Sequence, residues 1–536
     1  MELRTSNLDS LNKNNFDVLI IGGGINGAVA FAALAAKGVK VALIDKGDFA
    51  GMTSSNSSNL AWGGIKYLES YELLLVSRLC ESRNELMRSF PSTVREIRFF
   101  TTIQKGFRFP AFFVFLGTIL YWIIGRFFTQ PPRYIPTSSV KTMEPVINTE
   151  NTASGFEYSD CFLHDNDARF VFNFVRSGLD QGGTAANYVE AHHSRRENGR
   201  WCTQATDTIS GNSFDIHSKI MINACGPYVD HYNQINNQQT QYKHLFSKGI
   251  HLIVDRITDS EKVLTFFASD GRLFFVIPMG PKTCVGTTDT PVESPVVSVT
   301  KEDRDFVLEN INRLLNLPKP LTAADVISER CGVRPLAVDS SDKKASADWV
   351  KLSRKHEIAT NKDDKHISIF GGKLTDCLNV GEEVAGLVAN LGVDLAASDS
   401  KWYGEASAKH KETFLQQARK IDLDAMTDPS SSEPLTVRLW RRYGIHCMTL
   451  LEQIQHDPKQ AELLIENAEY IRCEVALASQ LEMITKLEDF LRRRSKIEQV
   501  LKIEDILSAP GLRDACELLF GDDADAKLEE YVASRS

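Results

Sequence analysis

FDVLIIGGGINGAVAFAALAAKGVKVALID, residues 16–45, decides the fold. Asp17 to Ile21 has the length and composition of a buried strand, apolar from Val18 onward, and it meets three glycines, Gly22 to Gly24. An alanine-rich stretch from Ile25 to Lys37 then reads as a tightly packed helix ended by Gly38. Val39 to Ile44 is a second apolar strand, closed by Asp45. The spacing predicts a βαβ unit of about thirty residues. Within it, Gly22-x-Gly24-x-x-Gly27 falls between strand and helix. In such a turn the first glycine permits the tight bend. The second lets the backbone approach a pyrophosphate, and the third lets helix and strand close together. The helix start offers free N–H groups and a positive dipole end to that anion. Asp45 stands where an acid accepts hydrogen bonds from an adenosine ribose.

Beyond the unit, Thr53-Ser54-Ser55-Asn56-Ser57-Ser58 is rich in hydroxyls and leads to Trp62-Gly63-Gly64-Ile65-Lys66-Tyr67-Leu68-Glu69. Hydroxyls and close-approach glycines suit a loop passing a pyrophosphate and a flat ring. A solvated serine loop has the same composition. Helical spacing is expected over 71–89, and strands over 218–223, 250–254, 273–277 and 366–370. From about residue 396 the chain reads as helical, with Ser430-Ser431-Ser432-Glu433-Pro434 as a linker.

The 536 residues suffice for two to four domains. Apolar residues at 43% and charged residues at 24% describe a folded chain. The net charge of −9 argues against a general nucleic-acid binder. Ten cysteines with no C-x-x-C spacing suggest neither a metal cluster nor a disulfide scaffold, which points to a reducing compartment. Residues 1–15 are polar, read as a short solvated tail, and lack the apolar core of a secretory signal, so a cytoplasmic location is expected.

Residues 109–125 are seventeen uncharged residues bracketed by Arg108 and Arg126. About twenty are needed to cross a bilayer. The aromatic content and the flanking arginines favour a segment lying in the membrane interface over a buried core helix or a true span.

The serine-rich loop with GGIKYLES resembles a signature of FAD-dependent glycerol-3-phosphate dehydrogenases, the respiratory, quinone-linked family. Other matching segments follow in the family's order: GFEYSDC (155–161), INACGPYVD (222–230), KGIHLIV (248–254), FVIPMGPKTCVGTTDT (275–290), CGVRPLA (331–337), FGGKLTD (370–376) and 470–497. The resemblance runs from about residue 16 to 500. It implies an α/β fold: a Rossmann-like FAD-binding domain, an antiparallel-sheet substrate domain of D-amino-acid-oxidase type, and a C-terminal α-helical domain. The expected FAD-binding parts are about 16–90, 155–245 and 355–395. The substrate and membrane-contact parts are about 91–154 and 246–354, and the helical domain is 396–536.

By the same resemblance FAD is bound by Gly22, Gly24, Gly27, Asp45, Ser54, Ser55, Gly226, Gly372 and Thr375. Arg334, Arg354, Lys66 and Tyr67 match the phosphate cradle, for which paired guanidinium donors are suited. Taken singly, each would be an ordinary surface charge or packed residue. His251 matches an active-site histidine and is the candidate general base. Arg334 and Lys373 would stabilise a developing alkoxide. The implied reaction oxidises sn-glycerol 3-phosphate at C2 by hydride transfer to flavin N5, with electrons passed to a membrane quinone at the inner face of the membrane. No metal is implied, and a homodimer is compatible with the resemblance.

The chain departs from the family at five positions. Asn59 replaces a lysine, Trp62 a histidine, Lys66 an arginine, and Asp376 and Cys377 a threonine and a tyrosine. These leave open another phosphorylated polyol or anionic hydroxy compound as substrate, an oxidase of the same fold, and a flavin-binding protein without turnover. Arg492-Arg493-Arg494 is expected to be a solvated basic face, with a cap or partner contact implied by the resemblance.

Overall fold

The computed structural model describes residues 2–268, 270–341 and 355–535. Two compact units form. The first comprises Met1–Ser55, Asp165–Phe246 and Arg334–Ser536, and the second Asn56–His164 and Ser247–Val333.

The first unit is built on the βαβ element. Strand Asn15–Ile21 pairs in parallel with Val41–Ile44 on one side and Ser213–Asn223 on the other. The sheet extends through Thr184–Ala186 at one end and His366–Gly371 at the other, both parallel. His356–Asn361 closes that edge antiparallel. Val41–Ile44 is buried throughout and Asn15–Ile21 over its apolar half, because helices cover them. The buried helix Ile25–Ala36 contacts helices Asp167–Asp180 and Cys377–Asn390. Gly22, Asp45 and Ala224 follow the carboxyl ends of three adjacent strands, where ligands bind in open α/β sheets.

Two expectations change here. Residues 2–13 form a helix rather than a solvated tail. Leu11 is buried, and Arg4 donates to Asn187 and to Asp207 at 2.6 Å. Likewise Arg493 and Arg494 are not a solvated face. Both are buried, because carboxylates are buried with them. Arg494 grips Asp48 with two bonds of 2.8 Å. Arg493 reaches Asp48 at 2.7 Å and Asp489 at 2.6 Å. Glu482 accepts from Arg169 at 2.7 and 2.8 Å, and also from Arg176. Burial raises the Glu482 pKa, but the two arginines override it and hold the carboxyl at about 2. Ser432 of the expected linker bonds Glu469 at 2.6 Å.

In the second unit a sheet runs Thr290–Val292, Tyr242–Asp255, Lys282–Gly286, Leu273–Met279, Val263–Phe267, Val94–Gln104, Thr152–Leu163, Leu60–Ala61. Neighbours are antiparallel from Tyr242–Asp255 to Val263–Phe267 and from Val94–Gln104 to Leu60–Ala61. Val263–Phe267 and Val94–Gln104 run parallel. Helix Lys301–Leu314, opened by a Thr300–Asp303 capping box, buries Val307 and Ile311 in its core.

The uncharged run forms helix Ala111–Ile124, with only Thr118 and Tyr121 buried. Phe112, Phe113, Leu116, Leu120 and Ile123 are exposed along its other side. Among the described residues no helix is long and apolar enough to cross a membrane.

Glu482→Gln strips charge from the site holding two buried arginines. A loss of about 3–5 kcal/mol is expected in urea unfolding followed by circular dichroism. Unchanged stability would contradict the network's role.

Candidate active site

Three turns meet at the carboxyl edge of the first unit's sheet. In the first, Gly22 has φ +105°, and a Cβ there would lie 2.4 Å from the Ala224 carbonyl oxygen. A Cβ on Gly27 would lie 1.8 Å from the Gly22 carbonyl oxygen. The Ser54 Oγ accepts from the Ile25 N–H at 3.0 Å, at the helix start. Ser55 is buried, and its hydroxyl donates to the Met52 carbonyl at 3.1 Å. Asp45 accepts from the N–H groups of Gly23 at 2.6 Å and Gly47 at 2.9 Å. Burial nevertheless pushes its carboxyl up to about 6.

The second turn is Ala224-Cys225-Gly226, tied to the first strand by the Ala224 N–H on the Ile21 carbonyl at 2.9 Å. Asn223 braces it, accepting from the Cys225 N–H and donating to the Val229 carbonyl at 2.9 Å.

The third turn is Gly371-Gly372, with φ +61° and +110°. Sequence reading missed the residues that hold it. Asn26 donates to the Gly371 carbonyl at 2.9 Å. The Gly371 N–H donates to His244 Nε2 at 3.1 Å, and His244 Nδ1 meets Asp230 at 2.7 Å. His244 therefore carries its proton on Nδ1. These partners lie far apart in the chain and carry no spacing signal.

Thr375 and Asp376 are buried just beyond Lys373. The Asp376 departure has a partner. His356 Nδ1 lies 3.0 Å from Asp376, and its Nε2 3.0 Å from Glu383. Burial lowers the His356 pKa, but the two carboxylates outweigh it and raise it to about 9.

The second unit holds Lys66, Tyr67 and His251. Lys66 is exposed and Tyr67 buried on the short turn Ile65–Leu68. His251 is buried on strand Tyr242–Asp255, opposite Gly286. The Asn59 departure is also partnered. Its Oδ1 accepts from the buried Arg330 at 3.0 Å, and Arg330 donates to the Ser57 carbonyl at 2.6 Å. Arg334, Lys373 and Thr375 belong to the first unit. Arg354 lies outside the described residues.

The first unit's turns fit a flavin dinucleotide. The glycine cradle admits no Cβ at Gly22 or Gly27. Between helix start and third turn, the Asn26 Oδ1 is buried with no hydrogen-bond partner among the described residues, leaving an acceptor for a hydroxyl such as those of a ribityl chain.

Fold and cradle together define a dinucleotide-binding flavoprotein. The family described as FAD dependent oxidoreductase matches residues 17–350, more than half of the chain, and the chain belongs to that family, whose cofactor is FAD. Residues 401–509 match the C-terminal domain of alpha-glycerophosphate oxidase. The aerobic glycerol-3-phosphate dehydrogenase of Staphylococcus aureus (strain USA300) is 27% identical, over 99% of this chain and 96% of that protein. Among solved structures, the glycerol-3-phosphate dehydrogenase from Bacillus halodurans complexed with FAD superposes with a TM-score of 0.71. It is 23% identical, covering 99% of this chain and 96% of that one. The FAD-bound L-alpha-glycerophosphate oxidase from Mycoplasma pneumoniae gives 0.53 at 16% identity, over 70% of this chain and 95% of that one. These two structural likenesses are of fold.

A histidine whose pKa rises on folding stabilises the protein fully below about pH 6.5 and loses that contribution as pH rises through about 9. The melting temperature should therefore fall across that window. In His356→Gln the His356 share of the slope should vanish, as read by calorimetry from pH 6 to 10.

Proposed function

We propose that this FAD-dependent oxidoreductase oxidises sn-glycerol 3-phosphate to dihydroxyacetone phosphate and passes the electrons to a membrane quinone. The observation that carries this is the order of parts. An FAD oxidoreductase body is followed by a glycerophosphate-oxidase C-terminal domain, over the same length as a relative named aerobic glycerol-3-phosphate dehydrogenase.

In this reading Gly22, Gly24 and Gly27 receive the FAD pyrophosphate, with Ser54, Ser55 and Gly226 beside it. Asp45 accepts from the adenosine ribose. Gly372 and Thr375 donate near the flavin's N1–C2=O edge, and Asn26 accepts from the ribityl chain. When bound, FAD supplies the acceptor for the hydride leaving C2 of the substrate. Lys66, Tyr67, Arg334 and Arg354 bind the phosphate. Lys66 brings charge without the two-pronged fork of an arginine. His251 takes the proton from the C2 hydroxyl, and Arg334 and Lys373 stabilise the oxygen as negative charge grows there.

Membrane docking is part of the proposal. A quinone is dissolved in lipid, and helix Ala111–Ile124 exposes five large apolar side chains. Arg108, Arg126 and Arg133, all exposed, flank it at the level of lipid headgroups. The enzyme would then sit on the cytoplasmic face of the inner membrane. An oxidase reading is favoured by the C-terminal match alone.

Anaerobic addition of glycerol 3-phosphate to the FAD-loaded protein should bleach the flavin absorbance. Bleaching by another phosphorylated polyol instead would redirect the substrate. No bleaching by any would indicate a protein without turnover. Reoxidation by a soluble quinone, faster than by oxygen, is expected of the dehydrogenase.

Phe113→Asp with Leu116→Asp should move the folded protein from the membrane fraction to the soluble fraction in flotation assays. Undiminished flotation would refute the docking role.

A further inference from the structure

The buried side of the apolar helix ends on the turn that carries Lys66. Tyr121, 2% exposed, is one of its two buried residues. Its hydroxyl donates to Asp160 Oδ2 at 2.8 Å. The other oxygen of Asp160 accepts from the Gly63 N–H at 3.0 Å. One fully buried carboxylate thus joins helix to turn. Gly63 opens the segment Gly63-Gly64-Ile65-Lys66-Tyr67.

The approach is close as well as bonded. A Cβ on Gly63 would lie 2.1 Å from the Tyr121 hydroxyl oxygen and 3.2 Å from its Cζ. Arg83 completes the group: its Nη1 donates to the Tyr121 oxygen at 3.2 Å and stands 3.6 Å from Asp160. Asn84 beside it donates to the carbonyl of Gly125, at the helix end, at 3.0 Å. Burial and Asp160 push the Tyr121 phenol well above its ordinary range, which keeps it a donor. A buried carboxylate bonded on both oxygens is stiff, because either partner's loss leaves an acceptor unsatisfied in a water-poor site.

We infer that Tyr121 is a positioning residue which, through Asp160, fixes the Gly63–Tyr67 turn to the apolar helix, so that the lipid-docking surface and a phosphate-binding element move as one body. The assignment of Lys66 and Tyr67 to phosphate, and of the helix to lipid, rests on the function proposed above. The bonded path from helix to turn does not.

The test uses the full-length, FAD-loaded chain and reads amide hydrogen exchange together with steady-state kinetics. Tyr121→Phe removes one hydroxyl and keeps the ring. Without lipid it should speed exchange in segment 60–68 by about five- to tenfold, with segment 111–124 unchanged. The KM for glycerol 3-phosphate should rise by a similar factor, with kcat within about twofold.

Gly63→Ala should mimic this variant, since the added methyl displaces the Tyr121 hydroxyl. The double variant Gly63→Ala/Tyr121→Phe should be no worse than Gly63→Ala alone, because the clashing oxygen is gone. Wild-type exchange at 60–68 in a folded Tyr121→Phe protein would overturn the inference, as would additive effects in the double variant. With vesicles of anionic phospholipid, segment 60–68 should slow in the wild type and not in Tyr121→Phe; an equal response would also overturn it. If glycerol 3-phosphate is no substrate, or vesicles leave 111–124 unaffected in the wild type, the proposed function fails on that point. The exchange comparison without lipid still decides the role of Tyr121.

Discussion

Between the first strand and the first helix there is room for a hydrogen and nothing larger. A methyl on Gly27 would overlap the Gly22 carbonyl oxygen at 1.8 Å. This closeness aims the helix start at the carboxyl edge of the sheet. From that edge the other two turns take their places. Ala224 bonds back to Ile21, and Gly371 is drawn in by Asn26, one residue before Gly27. The nucleotide cradle is therefore one packing solution rather than three separate motifs.

A second constraint is electrostatic. Asp48 and Glu482 are buried carboxylates, and each is met by two arginines. Taking such charges from water costs several kcal/mol per ion and is offset only by close, complete pairing. The residues come from chain regions more than 300 positions apart, so the C-terminal helices and the nucleotide fold satisfy each other. Asp48 stands three residues after Asp45, which places the acid expected at the ribose next to this network.

How much of this could be read beforehand depended on range. The 16–45 unit was legible because each part of it is local: an apolar run, a glycine turn, an alanine-rich helix, a terminal acid. The strands near 218–223, 250–254, 273–277 and 366–370 were legible from composition. The polar first residues misled, because Leu11 and Arg4 find partners only in the folded sheet. Arg493 and Arg494 misled for the same reason: a triplet of arginines reads as solvated until the distant Asp48 is known. At the site, the glycines and Asp45 were visible as a motif. Asn26, His244, His356 and Arg330 were not, since each acts through a partner about 20 to 350 positions away. The departures at Asp376 and Asn59 looked like losses in isolation and are paired in space, with His356 and Arg330.

The interlock of arginines and carboxylates also bears on how this chain can be cut and rebuilt. A fragment ending before the helical tail would leave Arg169, Arg176 and Asp48 without the carboxylate and guanidinium partners that meet them in the full chain. Minimal versions made for biotechnology would need those three positions recast as neutral, space-filling side chains. The same pairs argue against inserting a tag at the junction near residue 400, where a lever would pry the halves of each pair apart.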